Sequence, residues 1–348
     1  MVKNLVQNGY WVHATVRDAS REDKVSYLEA MDAEGPGSVV IFEADLEQAN
    51  EGAYDAAFAG CSAVFHVAAD LFSDSSYGAY DGQRQYDSIV TATEGVLASC
   101  LAAGSVQRVI YTSSCAGVFG PPTAGGGPLD GHEFTEADFA GGSIETLDER
   151  WTFTTRSGRE LKLWNVERQP YAKGKVDAEI LCYEWGEENG IDVVTSNPCH
   201  VLGPLLGASQ NTGWQGLIGR MLEGNGAHDD RHHEMWNVTD VRDIAEMQRL
   251  AAESDVCGNG SRYMNVALDT SALMGVNDFI AFIQGLYPDI DVAGDYVSDP
   301  TPEAPVAFSR KVVEDFGIPL RSCEETLRST VDSLIELGCV TPKPRGKL

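Results

Sequence analysis

The sequence predicts an α/β fold: a doubly wound, mostly parallel sheet with a smaller C-terminal α/β lobe. Three observations predict it. Short β-branched runs alternate with helical stretches through the first half of the 348 residues, which implies right-handed crossovers between parallel strands. Segments such as VVIF at 39–42 and AVFHVA at 63–68 are almost continuously apolar, as strands covered on both faces must be. A hydrophobic content of 43% with 22% charged residues is ordinary globular composition, in a chain long enough for one large domain or one domain with an appended lobe.

Residues 1–7 read as a helix stopped by Asn8-Gly9, a favourable terminal pair. That helix has neither a capping residue nor a preceding strand, so its first amides lack partners. In a dinucleotide-binding fold, a strand and a glycine-rich turn that cradles a pyrophosphate stand at that point. No G-x-x-G-x-x-G run occurs elsewhere; Gly125-Gly126-Gly127-Pro128 follows no strand and opens no helix. The expectation is a chain lacking that piece, with cofactor affinity reduced accordingly.

The next elements follow in order. Tyr10–Val16 is a strand and Arg21–Met31 a helix. Ser38–Phe42 is a strand ending in Glu43-Ala44-Asp45-Leu46, and a helix covers about 52–58. Ala63–Val67 is a strand. Residues 86–103 are helical, with Ile89, Ala92, Val96, Leu97 and Cys100 at helical spacing. Val109–Thr112 is a strand, 171–188 a helix and Ile191–Ser196 a strand. Between Pro121 and Pro170 lies a Gly- and acid-rich insertion. Inside it, 151–155 and 161–164 alternate around Arg156-Ser157-Gly158-Arg159 as a β-hairpin. The insertion is either a lid or a surface ornament.

After Asn197 the pattern predicts helices at about 213–222, 241–253, 273–286, 310–316 and 324–337, with short strands around Met235 and 263–266. The expected division is a nucleotide-binding part at 1–200 and a substrate lobe at 201–348, with parts of 233–267 returning to the sheet.

Charge narrows the function classes. With 53 acidic against 25 basic residues the formal charge is −28, a surface that repels nucleic-acid phosphates and anionic lipid. No apolar run approaches the ~20 residues that span a bilayer, and no basic-then-apolar leader opens the chain, so a soluble, cytoplasmic protein is expected. The eight cysteines show no C-x-x-C pair and read as reduced thiols, with no metal site indicated. The Asn237-Val238-Thr239 sequon is then without consequence. His228 to Glu234 (HDDRHHE) is dense in metal-ligand types, but adjacent His232 and His233 do not easily face one ion, so a solvated loop is the preferred reading.

The strongest chemical signal is Tyr171-Ala172-Lys173-Gly174-Lys175 at a helix start. Positions i and i+4 share a face, so Tyr171 and Lys175 project side by side, and an ammonium beside a phenol favours the phenolate. Twelve tyrosines and eight lysines make one such pair weak evidence alone. Its context strengthens it. A strand ends in Tyr111-Thr112-Ser113-Ser114-Cys115, and another in Asn197-Pro198-Cys199, both at the carboxyl edge where open α/β sheets bind ligands. Cys115 and Cys199 are read as small buried thiols. Trp214 and Met221 line either the substrate pocket or the core.

The motifs HATVRD, EADL, VFHVAA, RVIYTSS, YAKGK, SNPCHVLGP and SRKVVEDFGIPL together resemble the extended short-chain dehydrogenase/reductase superfamily. Within it the likeness is to the branch of dihydroflavonol reductases, cinnamoyl-CoA reductases and yeast-type aldehyde reductases. The resemblance implies a Rossmann fold and NADP(H) as cofactor. It implies a small carbonyl or alcohol substrate and a monomer or homodimer. It makes Ser114 (rather than Ser113) the hydroxyl that binds the substrate carbonyl, Tyr171 the proton donor, and Lys175 the residue that lowers the tyrosine's pKa and holds the nicotinamide ribose. Arg17 and Lys24 match residues that grip the 2′-phosphate, a role suited to a basic pair in so acidic a chain; ordinary solvated charges are the bland reading. Asp45 and Leu46 match the adenine contacts. Val67, Ala68 and Thr112 match the cofactor-lining strand ends, and Pro198 to Val201 the segment under the nicotinamide.

Two departures point to a different aldehyde or ketone from those of the plant enzymes. Phe119 stands where dihydroflavonol reductases carry Asn or Asp, and Arg168-Gln169-Pro170 lacks the cinnamoyl-CoA reductase signature. The expected reaction is hydride delivery from NADPH to an aldehyde or ketone. The alternatives are an NAD-dependent epimerase, dehydratase or hydroxysteroid-type dehydrogenase, and a truncated, non-catalytic homologue.

Overall fold

A computed structural model of the chain describes residues 1–69, 82–118, 133–139, 151–154, 160–163, 170–225, 236–266, 273–274, 276–292, 306–307 and 310–346. The chain opens with helix α1 (Val2–Gln7), which ends at Asn8 and turns through Gly9 at φ 87°. This is a backbone angle that glycine adopts without strain. Strand β1 (Trp11–Val16), helix α2 (Glu22–Ala30) and strand β2 (Ser38–Glu43) follow. β1 and β2 run parallel, pairing Trp11 with Ser38 through Val16 with Glu43.

The helix expected at 52–58 is only the single turn α3 (Asp55–Phe58), preceded by a 3-10 turn at Leu46–Glu51 that Asp45 caps. Gly52, at φ 80°, separates them. Then come β3 (Ala63–His66), the long α4 (Gly82–Ala103) and β4 (Arg108–Thr112). Within the insertion, β5 (Glu133–Phe134) precedes β6 (Trp151–Thr154) and β7 (Glu160–Leu163), which pair antiparallel as the expected hairpin. Phe119 and the His228–Glu234 run lie outside the described residues.

Helix α5 (Pro170–Asn189) and strand β8 (Asp192–Ser196) complete the first alternation. The remainder comprises β9 (His200–Leu202), α6 (Gly213–Leu222), β10 (Trp236–Asp240), α7 (Val241–Glu253) and β11 (Ser261–Tyr263). It continues through β12 (Leu273–Met274), α8 (Val276–Leu286), β13 (Val306–Ala307), α9 (Lys311–Phe316) and α10 (Cys323–Glu336). The helix read as starting at 273 instead begins at Val276, because Leu273 and Met274 pair antiparallel with β10. Strand β9, too short to leave a period-2 signature, pairs parallel with β10.

The main sheet has the order β11-β8-β4-β3, all parallel. Its two faces can be read residue by residue. Val109 and Tyr111 of β4, with Val193 of β8, pack among Ile89, Val96 and Leu97 of α4 and Ala178 and Cys182 of α5. Ile110 and Val194, one position over, pack on the opposite face among Met247 of α7, Tyr263 of β11 and Val312 of α9. Alternate side chains feeding two helical layers are what a doubly wound sheet requires. A separate core holds Leu202, Ile218, Met221, Phe279, Leu327 and Val331, from β9, α6, α8 and α10. Two capping residues set helix starts here: Asp240 accepts the Arg242 amide at 2.8 Å, and Ser322 the Glu325 amide at 3.1 Å. No helix among the described residues is long and apolar enough to cross a membrane.

Candidate active site

The carboxyl ends of β3, β4 and β8 lie side by side, with His66 opposite Tyr111 and Thr112 opposite Ser196. Beyond Thr112 the Ser113 amide donates to the Ser196 carbonyl at 2.8 Å, and the Cys115 amide to the Pro198 carbonyl at 2.9 Å. The ladder register therefore continues past the strands and fixes where Ser114 falls. Ser114 caps a 3-10 turn at Cys115–Gly117, its Oγ accepting the Ala116 amide at 3.1 Å.

Helix α5 brings Tyr171 and Lys175 to this edge. The Tyr171 phenol stands near enough to the Ser114 side chain for that serine to act on its pKa. Lys175 is buried, donates from Nζ to the Thr112 carbonyl at 2.9 Å, and lies 5.9 Å from the centroid of the Tyr171 ring. Tyr171 and Lys175, one turn apart on α5, thus converge with the sequence-distant Ser114. Ser113 is not one of them: its Oγ is buried and without a hydrogen-bond partner in the described structure.

The electrostatics correct one expectation. The sequence suggested that Lys175 would pull the phenol's pKa down. Burial instead pushes the Tyr171 hydroxyl up to about 12, against the lowering effect of Ser114. The lysine is committed to the Thr112 carbonyl, and burial lowers its own pKa to about 8. Tyr171 is therefore a protonated phenol at neutral pH, the form a proton donor requires. His66, at the end of β3, is held neutral: burial, then the Lys175 charge, lowers its imidazole to about 3, and Nε2 meets Thr93 Oγ1 at 3.2 Å.

The remaining expected positions are placed as follows. Arg17 follows β1 with its side chain half exposed and its Nε 3.6 Å from Asp45 Oδ1. Lys24 is exposed on α2, and Leu46 is half-buried in the turn that Asp45 caps. Val67, 48% exposed, and the exposed Ala68 follow β3 at the edge. Pro198 is held by Cys115, while the Val201 carbonyl accepts Gln215 Nε2 at 3.1 Å. Cys115 and the buried Cys199 pack with Val118, Met264 and Val266 as small apolar groups. Met221 is fully buried in the lobe's core, and Trp214 sets its ring edge-on to His200 at 4.3 Å. Thr112 is gripped from both sides of the sheet, since Gln248 of α7 donates to its Oγ1 at 2.9 Å. Sequence reasoning passed over Gln248, whose single polar side chain on a helix gives no spacing signal. It also passed over Glu179, which stands four residues after Lys175 on the same helix face and was legible by the rule that revealed Tyr171 and Lys175.

The 3-beta hydroxysteroid dehydrogenase/isomerase family model matches residues 1–142, and the NAD dependent epimerase/dehydratase family model matches 156–267. An anthocyanidin reductase of Arabidopsis thaliana is 30% identical over 309 residues, covering 85% of this chain and 79% of that protein. The cinnamoyl-CoA reductase CAD2 of Medicago truncatula is 29% identical over 340 residues, covering 97% of this chain and 91% of its own. Among solved structures, the yeast methylglyoxal/isovaleraldehyde reductase Gre2 complexed with NADPH superposes with a TM-score of 0.73 at 19% identity, covering 98% of this chain and 95% of that one.

Proposed function

The chain belongs to the extended short-chain dehydrogenase/reductase superfamily, in its dihydroflavonol and cinnamoyl-CoA reductase branch, and from that premise we propose that it is an NADPH-dependent reductase of an aldehyde or ketone carbonyl. One observation carries the reading: Ser114 follows a strand at the carboxyl edge of a parallel sheet and acts on the Tyr171 phenol, beside a buried lysine bonded to the Thr112 carbonyl.

The residues present suit the 2′-phosphate and nicotinamide ends of a dinucleotide. The strand ends offer an exposed apolar Val67 and the Lys175 ammonium, and the half-exposed Arg17 guanidinium that follows β1 suits a phosphate. Bound NADPH supplies the hydride, and the protein supplies position and charge. The Ser114 hydroxyl donates to the substrate's carbonyl oxygen and orients it toward Tyr171. The Tyr171 phenol, protonated at neutral pH, gives its proton to that oxygen as negative charge develops there. Lys175, charged below about pH 8, ties α5 to the Thr112 carbonyl and holds the nicotinamide ribose. Arg17 and Lys24 hold the 2′-phosphate, Asp45 and Leu46 flank the adenine, and Val67, Ala68, Thr112, Pro198 and Val201 line the nicotinamide end.

The test is consumption of NADPH against NADH with a panel of small aldehydes and ketones. Preferential oxidation of NADPH supports the proposal. A clear NADH preference would favour an epimerase or dehydratase, a reading supported by the family model matched over 156–267.

A further inference from the structure

Behind the two hydroxyls lies a buried polar cluster that the proposed mechanism leaves unused. Glu179 has no exposure and stands on α5 one turn beyond Lys175 and two beyond Tyr171. Its carboxylate oxygens serve different partners. Oε1 accepts the Tyr183 hydroxyl at 2.9 Å and pairs with the buried Arg262 guanidinium. Oε2 accepts Asn197 Nδ2 at 3.2 Å.

The same Asn197 amide donates to the Ser114 carbonyl at 3.3 Å. Asn197 is itself fully buried, directly follows β8, and is held by its backbone N–H donating to the Tyr263 carbonyl at 2.8 Å. A continuous run of hydrogen bonds therefore joins the helix bearing Tyr171 and Lys175 to the backbone of Ser114. Burying a carboxylate costs several kcal/mol before its partners offset it, so well-packed apolar side chains would serve stability as well or better. What the charged arrangement provides is direction: two acceptor oxygens fixed between three elements.

We propose that Glu179 and Asn197 form a positioning clamp that sets where Ser114 stands relative to Tyr171 and Lys175, so that both hydroxyls address one carbonyl oxygen. The inference rests on the reductase reading above. It makes a specific prediction for glutamine at 179, which has one acceptor oxygen where glutamate has two. With that oxygen kept by Tyr183 and Arg262, the amide nitrogen faces the Asn197 donor. If Asn197 turns over to meet it, Asn197 presents its own oxygen to the Ser114 carbonyl. Both arrangements break the link to Ser114.

The experiment measures kcat and KM for NADPH-dependent reduction in Glu179→Gln and Asn197→Ala, each alone and combined with Ser114→Ala. Each single variant should lower kcat on the order of 10- to 100-fold, the scale of an ångström-sized misplacement, with KM for NADPH within about twofold. In the Ser114→Ala background no serine hydroxyl remains to be placed, so the same changes should cost less than about twofold. Equal losses in both backgrounds would show a merely structural role and overturn the clamp. A second readout needs no turnover: amide hydrogen exchange across residues 113–118 should rise about tenfold in Asn197→Ala while α10 is unchanged. Unchanged exchange at 113–118 overturns the clamp by itself. A wild-type chain that reduces no carbonyl overturns the reductase reading instead, and the exchange measurement still decides the clamp.

Discussion

The Lys175 ammonium donates to the carbonyl of Thr112 at 2.9 Å, which ties the amine on α5 to the strand that delivers Ser114. Burial brings this lysine's pKa down to about 8, so it is charged below that pH and neutral above it. If the charged form is the active one, kcat/KM for reduction should fall as pH rises through about 8, approaching tenfold per unit on the alkaline side. In Lys175→Arg the guanidinium stays charged past pH 12, so the alkaline limb near 8 should disappear from a lower overall profile. A wild-type profile flat from pH 7 to 9 would remove Lys175 from the mechanism.

Tyr171→Phe deletes the proposed proton donor but leaves the ring packed against the cluster that holds Tyr111. Turnover should drop on the order of 10²- to 10⁴-fold, the scale of one general acid. NADPH binding, followed by the change in its fluorescence, should stay within about threefold of wild type, because the phenol is asked to serve the substrate oxygen and not the phosphates. Activity within tenfold of wild type would mean that another group donates the proton.

Arg17 stands just past β1 with its side chain half exposed, and its ionic contact to Asp45, at 3.6 Å, is long for a direct hydrogen bond. Its proposed role is to hold the cofactor's 2′-phosphate. Arg17→Ala should raise KM for NADPH by on the order of tenfold or more, the worth of one charge-assisted contact, and leave KM for NADH within about twofold. Equal effects on the two cofactors would contradict a 2′-phosphate contact.

Much of this arrangement was legible before any coordinates. Tyr171 and Lys175 announce themselves by their spacing. Helices α6 and α7 begin and end where apolar periodicity places them. What stayed hidden needed the third dimension. Glu179 and Arg262 form a buried pair although 83 positions separate them, and neither carries a local mark of its partner. β9 and β12 are three and two residues long, short of any detectable alternation, and exist because β10 supplies their partners. The pKa of Tyr171 moved opposite to expectation because burial, the largest influence on it, is not a property of neighbours in sequence.

The closeness of α4 to the turn that carries Leu46 offers a stability test. A Cβ at Gly95, buried on α4, would lie 2.4 Å from the Ala49 carbonyl carbon and 2.6 Å from the Asn50 nitrogen. Two opposing effects follow from Gly95→Ala. Alanine favours a helix interior by about 1 kcal/mol over glycine. The new methyl, however, meets backbone, which cannot rotate aside, so helix and turn must separate at a cost of about 1–3 kcal/mol or more. Overpacking therefore wins, and urea unfolding should show a net destabilisation of up to about 2 kcal/mol at unchanged m. Because the displaced turn holds Leu46 and is capped by Asp45, KM for NADPH should rise in the same variant while the alkaline limb assigned to Lys175 stays near 8. Gly95→Ala as stable as wild type would mean that α4 and this turn are not in the contact described.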